Sequence, residues 1–319
     1  MLNNVINLFL IENKFFLIYN IAKKSEVYIM AKVLIVTDSA SDISIEDEKL
    51  YGIKVLPFKV ALGDKSYISR IDFNNEKFYE MMANFGGLPS TSQITTFQFQ
   101  EFYEEKCNEG YTDLVMVLIN KEGSATFTNA VYAEKLFYQD NPEWVGKINI
   151  HLFDGRSYSA GYGEAVIGAA IMNQNGQSVE EICRYLDDKL SKSMIYFGMY
   201  SLKYAAKSGR IPSAAAFVGE ALGLKPLMKI YDHKITTYRK IRGERLLIPS
   251  IVECVLDEMA ENTPYTVLYG SDKTVGVQIA KLMEEKVGYP PIRMTQIGAA
   301  IAINAGPKVV GIKFDKRDL

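Results

Sequence analysis

The stretch AKVLIVTDS, residues 31–39, decides the reading of this chain. Val33 to Val36 are branched or long apolar side chains in an unbroken run too short for a helix, so they read as a buried strand. Thr37, Asp38 and Ser39 close that strand with small polar groups. Outward from it, strand-like and helix-like patterns alternate. Ile53–Val60 reads as a second strand, made irregular by Pro57. Helices are expected over Asn74–Asn84 and Phe97–Asn108, the latter stopped by Gly110. Leu114–Ile119 is a third apolar strand, followed by a helix over Thr126–Tyr138 and a strand over Ile148–Phe153. Helices near Tyr162–Asn173 and Val179–Ser191 complete this half. Strands separated by helices in this way imply a parallel sheet with helices on both faces.

The character changes around Ser191–Met194. A strand (Ile195–Tyr200) leads into SLKYAAKSGRIP, residues 201–212, and an apolar helix over Ala214–Leu222. Leu227–Tyr231 and Lys234–Tyr238 read as strands joined by an Asp232-His233 turn. Helices (Ile248–Glu261, Val275–Lys286), a strand (Thr266–Tyr269) and two final strands follow. The expected fold class is therefore α/β and two-lobed. An N-terminal α/β/α lobe with a parallel sheet spans residues 30–190, and a smaller mixed-sheet α/β lobe spans 191–319. A ligand cleft is expected between them.

The whole chain fits that division. Its 319 residues exceed the roughly 250–300 at which a single core stops growing. A net charge of −2 argues against a nucleic-acid partner, which calls for a basic face. Three cysteines with no CxxC suggest neither a disulfide framework nor zinc. The two histidines stand alone, and His151, in the alternating run INIHLF, reads as a strand residue. In residues 1–29 the apolar run Val5–Ile21 is interrupted by Asn7, Glu12, Asn13 and Lys14, so neither a membrane span nor a signal sequence is expected. That segment is expected to lie outside the fold, with Met30 as the functional start. The cytoplasm is then the default location, with no stable membrane insertion.

Three hydroxyl-rich segments follow strands: TDSASD (37–42), PSTSQ (89–93) and GSAT (123–126). In open α/β sheets ligands bind outside the carboxyl ends of the strands. Hydroxyls and free helix N-terminal N–H groups together suit a carboxylate or a phosphate. Each segment has a second reading as a helix cap, because Ser90-x-x-Gln93 and Thr95-x-x-Gln98 both fit a capping box. Arg210, in SGRIP, can clamp an anion or simply follow a glycine C-cap into solvent. The basic run Arg239-Lys240-Ile241-Arg242 is either an exposed strand end or a docking patch for an acidic partner. Gly161-Tyr162-Gly163 lacks the third glycine of a dinucleotide fingerprint and does not follow the first strand. No GxxxxGK[ST], GxSxG or HExxH occurs.

In order and spacing, TDSASD, PSTSQ, SATFTNA (124–130), FDGRSYSAGYG (153–163), SGRI (208–211), LGLKPLM (222–228) and KIR (240–242) resemble the DegV family. That family includes the fatty acid-binding subunits of bacterial fatty acid kinase. The resemblance runs from about Lys32 to Phe314. It implies a long-chain fatty acid as ligand, its tail buried between two lobes, with no cofactor and no chemistry by the chain alone. It places the carboxylate at Thr91 and Ser92, with Ser124 and Thr126 on a second loop and Arg210 near the head-group mouth. Asp38 and Tyr269 join the ligand-binding candidates, Tyr269 standing where a histidine is common among kinase-linked members. A fatty acid kinase catalytic subunit would be the partner, docking on basic residues such as Arg239 and Arg242. The chain departs from the family pattern at Asn120 and Lys121, where a double serine is usual. Ala125 replaces a glycine and Ile94 a proline.

The rival expectation is an enzyme, a phosphotransferase or esterase acting on a small acidic substrate. Asp38 or Asp154 would be its base and Arg210 its electrostatic clamp. A structural paralogue with an altered cleft is the third.

Overall fold

β1 (Val33–Asp38) lies inside a four-stranded sheet, paired in parallel with β2 (Lys54–Leu56) and β6 (Asp113–Leu118). β7 (Asn149–Asp154) extends the sheet, giving the order β2-β1-β6-β7. All six residues of β6 are buried, so both faces of the sheet are covered, as a parallel sheet requires. The structure is a computed structural model that describes residues 31–211 and 223–317. The expectations for residues 1–29, for Met30 and for a helix at Ala214–Leu222 fall outside the described residues.

The covering helices are α1 (Ile45–Tyr51), α3 (Thr96–Asn108), α4 (Thr126–Asp140), α5 (Ala160–Gln174) and α6 (Val179–Lys192). Thr95 caps α3 with a full capping box, and Ser178 does the same for α6. Pro57 divides the expected strand Ile53–Val60: β2 ends at Leu56 and β3 (Lys59–Leu62) starts a different sheet. A proline has no N–H for a ladder, so the chain leaves the parallel sheet there. β3 pairs antiparallel with β4 (Lys65–Ile68) and with β5 (Ser90–Ser92). Ser90 is thus a strand residue rather than the start of a capping box. α2 (Asn75–Asn84) lies between β4 and β5 in the chain, capped by Asn74.

β8 (Ser193–Met199) begins the second sheet, of order β10-β9-β8-β13-β11-β12. Its members are β9 (Leu224–Tyr231), β10 (Lys234–Arg242), β11 (Tyr265–Tyr269), β12 (Arg293–Gln296) and β13 (Val309–Asp315). Only β11 and β12 run parallel; the other pairs are antiparallel. The period of two along the strands sorts its side chains. Met194, Tyr196, Leu227, Val267 and Ile312 face α8 (Leu247–Glu258) and α9 (Lys273–Val287). Ile195, Phe197, Ile230, Leu268 and Val309 face the other way. They join Val60, Phe78 and Ala160, and Ile297 and Ile303 at α10 (Ala299–Ala305). That second cluster joins strand residues of the six-stranded and three-stranded sheets, and the cavities described next border it. From Val33 onward the chain forms one compact unit. The last described helix before residue 212, α7 (Lys203–Ser208), ends at Gly209, a left-handed C-cap with φ 70°.

Candidate functional site

A cleft of about 1000 Å³, counted to its open mouth, lies on the inward face of the second sheet. Its walls are Ile195 and Phe197 of β8, Ile230 and Ile235 of the β9–β10 hairpin, Leu268, Val309, and Ile301 and Ala305 of α10. Its other end meets the segments that follow the parallel strands: Phe58, Ile119, Gly123–Ala125, Tyr158 and Ser159. The ligand crevice of an open α/β sheet has this position. The polar residues on its wall are Thr91, Gln93, Ser124, Tyr158, Ser159 and Arg210, with Asn304 on α10.

Thr91 sits in β5 opposite Val60 of β3. Strand alternation turns Thr91 to the cleft and leaves Ser90 and Ser92 exposed. Ser92 is therefore not on the cleft wall. Ser124 is held by Thr126: their hydroxyls are 3.0 Å apart, and the Thr126 N–H donates to Ser124 Oγ at 3.3 Å. Thr126 itself is fully buried and its Oγ1 accepts from the Ile94 N–H at 3.4 Å. It joins the Ser124 loop to the chain just after Thr91, rather than facing the cleft. Asn129 strengthens the joint by donating to the Ile94 carbonyl at 2.8 Å. Arg210 follows the Gly209 cap directly, is exposed, and is one of the residues lining the cleft.

Asp38 is elsewhere. Its carboxylate is fully buried and accepts from Tyr162 Oη at 2.6 Å, the Ala40 N–H at 3.0 Å and the Ile119 N–H at 2.7 Å. It ties the ends of β1 and β6 together and has no side on the cleft. Burial raises it to about 6, against the pull of those three donors. Asp154 turns its Oδ1 to the N–H groups of Lys121 and Arg156, at 3.2 and 3.0 Å. Lys121 and His233 stand 3.6 and 3.5 Å from its Oδ2.

Tyr269 is buried and borders a second cavity, of about 1440 Å³ counted to its open mouth, on the far side of α10. That cavity is lined by Asp42, Asp47, Glu164, Arg70, Arg293 and Asn75, among others. Arg293 pairs with Asp47 at 2.8 Å and Glu164 at 3.2 Å. Asp42 accepts from Ser159 Oγ at 2.6 Å and the Gly298 N–H at 3.0 Å, linking the start of α5 to the start of α10. Desolvation pushes Asp42 up to about 7. Arg239 is outside both cavities and pairs with Glu253 at 3.1 Å, while Arg242 is exposed at the end of β10.

The sequence reading missed three contributors. Asn120 is fully buried and donates to Tyr158 Oη at 3.1 Å and the His233 carbonyl at 2.8 Å. His233, with Asp232, takes the positive φ that a tight hairpin turn requires, and its N–H donates to the Arg156 carbonyl at 3.0 Å. Gly123 leaves room for a close approach: a Cβ there would lie 2.3 Å from Tyr158 Oη. Positive φ at the non-glycine residues Asp42, Arg156, Ser159 and His233 clusters around this junction, as strained backbone does at binding sites. Tyr158 was the available signal, a large ring between two serines in FDGRSYSAGYG.

The model of a family described as "Uncharacterised protein, DegV family" matches residues 32–317. The chain belongs to the DegV family. A DegV domain-containing protein of Clostridium perfringens is 28% identical over 289 residues, covering 90% of this chain and 99% of its own length. Among solved structures, a stearic acid-binding protein from Eubacterium ventriosum aligns with a TM-score of 0.79 at 24% identity, over 89% of this chain and 97% of that one. DegV of Bacillus subtilis, a fatty acid-binding protein, aligns with a TM-score of 0.76 at 24% identity, over 90% and 100%. These likenesses establish the two-lobed DegV fold. Among the described residues no helix is long and apolar enough to cross a membrane, and no group of three or more side chains is arranged to hold a metal ion.

Proposed function

We propose that this DegV protein binds a long-chain fatty acid and performs no chemistry on it alone. The acyl chain would lie between the lobes 30–190 and 191–319, along the inward face of the second sheet. Its carboxylate would rest at Thr91 and Ser124, beneath Arg210. The observation that carries this reading is the cleft's lining, in which Ile195, Phe197, Ile230 and Leu268 of the second sheet share one cleft with Thr91, Ser124 and the exposed Arg210. Each buried CH₂ contributes about 0.8 kcal/mol, so the tail supplies most of the affinity and the polar end fixes direction. The solved DegV relatives that bind stearic acid or other fatty acids support the ligand class. Against an enzymatic reading, Asp38 has its carboxylate engaged by three donors away from the cleft. We propose further that the carboxylate at the mouth is offered to a kinase subunit, with the exposed Arg242 on the docking side and Arg239 available once its pair with Glu253 opens.

Native mass spectrometry of the purified protein, with extraction and identification of what co-purifies, tests the binding reading. One fatty acid per chain is the expected result. An unliganded mass that stays unchanged after incubation with a panel of fatty acids overturns it.

A further inference from the structure

We propose that Tyr158 is a carboxylate-binding residue of the cleft, donating its phenolic proton to the head group alongside Ser124 and Thr91. This inference rests on the fatty acid reading and adds a residue to its head-group end.

The case begins with Asn120. Its side chain is fully buried and its amide orientation is fixed from several sides. The Asn120 NH₂ donates to the His233 carbonyl at 2.8 Å and to Tyr158 Oη at 3.1 Å, while its Oδ1 accepts from the Glu122 N–H at 3.1 Å. The phenol oxygen is therefore an acceptor toward Asn120, and its own O–H must point elsewhere. Among the described residues no group accepts that proton. The phenol borders the cleft, on the wall that also holds Thr91, Ser124 and Arg210. An acceptor in the cleft, such as a carboxylate oxygen, would complete its bonding.

Two features hold the phenol in place. The ring packs against both the parallel-sheet core and the cluster on the second sheet, so its position is set by both lobes. Gly123 presents no Cβ, and only that lets the hydroxyl sit over the 120–124 turn. Burial raises the phenol's pKa, which keeps it a neutral donor at physiological pH. Arg210 is near enough to act on it electrostatically, so an anion accepting from the phenol would also meet the guanidinium.

The test compares oleate with its methyl ester on delipidated protein, by calorimetry or by displacement of a fluorescent fatty acid. Tyr158→Phe keeps the ring and removes the donor. It should weaken oleate about tenfold and the ester less than twofold, the loss expected for one hydrogen bond to a charged group. Ser124→Ala should show the same acid-selective loss. If Ser124→Ala weakens oleate and Tyr158→Phe does not, the phenol is not a donor and the inference fails while the site stands. Equal loss of acid and ester in Tyr158→Phe would make the ring a packing element only, which also overturns it. A wild-type protein that binds neither compound would overturn the fatty acid reading, and this inference with it.

Discussion

The two cavities on either side of α10, about 1000 and 1440 Å³ counted to their open mouths, differ in which side chains line them. The first takes its walls from the inward face of the second sheet, where alternation delivers Ile195, Phe197, Ile230 and Leu268. The second is bordered by the start of α1, the loop before α2 and β12, and within it Arg293 pairs with Asp47 and Glu164. An apolar chain entering the first loses only water from its surface. Entering the second, it would strip solvent from paired charges and give nothing in return. It is in this lining that the proposed lipid cleft differs from the charged cavity.

The comparison is easiest to break with a charge. Ile301→Asp places a carboxylate on the apolar wall and should weaken fatty acid binding by more than about 100-fold, since an unpaired charge facing the tail costs several kcal/mol. Asn75→Ala, in the polar cavity, should leave binding within about twofold. Titration of delipidated protein with a fatty acid measures both, and comparable losses in the two variants would dissolve the distinction.

Next in size is the head-group end of the apolar cleft. Removing Thr91 and Ser124 together, as alanines, should weaken a fatty acid by roughly 10- to 100-fold, as expected for hydrogen bonds to a charged group. Unchanged retention would move the carboxylate away from these hydroxyls.

The smallest expected effect belongs to the polar cavity and is one of pH. Asp42 is raised from an ordinary 3.8 to about 7 by desolvation. The folded state then holds a proton that the unfolded state has lost, and stability falls as pH rises from about 4 to about 7. Asp42→Asn removes this titration while keeping an acceptor for the Gly298 N–H. Its melting temperature should be flatter than wild type across that window, by about 1.5 °C for each kcal/mol contributed in a chain of this length. Matched slopes in thermal scans at pH 5 and pH 8 would show that Asp42 is ionised in the fold throughout. Asp38, raised in the same direction to about 6, remains in both proteins.

Much of the fold was legible because its signals are local. The apolar run Val33–Val36, the box Thr95-x-x-Gln98 and the Asp232-His233 turn each act within a few residues, and each is found where the pattern put it. α10 was not foreseen: AAIAINA is short, small and nearly uniformly apolar, so it has no polar face to reveal a helical period. Of the site candidates, Thr91, Ser124 and Arg210 meet at one cleft, while Ser92, Thr126, Asp38 and Tyr269 do not border it.

The sequence alone determined that strands and helices alternate, that hydroxyls follow the parallel strands, and that the order of motifs is that of the DegV family, because propensity, periodicity and spacing are properties of neighbouring residues. Only the tertiary structure decided which hydroxyl of β5 faces the cleft, that Asp38 is a tie between strands, that Tyr269 borders the polar cavity, and that Asn120 steers Tyr158. Each of these depends on a partner far along the chain, as Ile119 is from Asp38 and His233 from Asn120. A hydrogen bond across such separations leaves no periodic trace in sequence, since either partner looks the same wherever the other happens to lie.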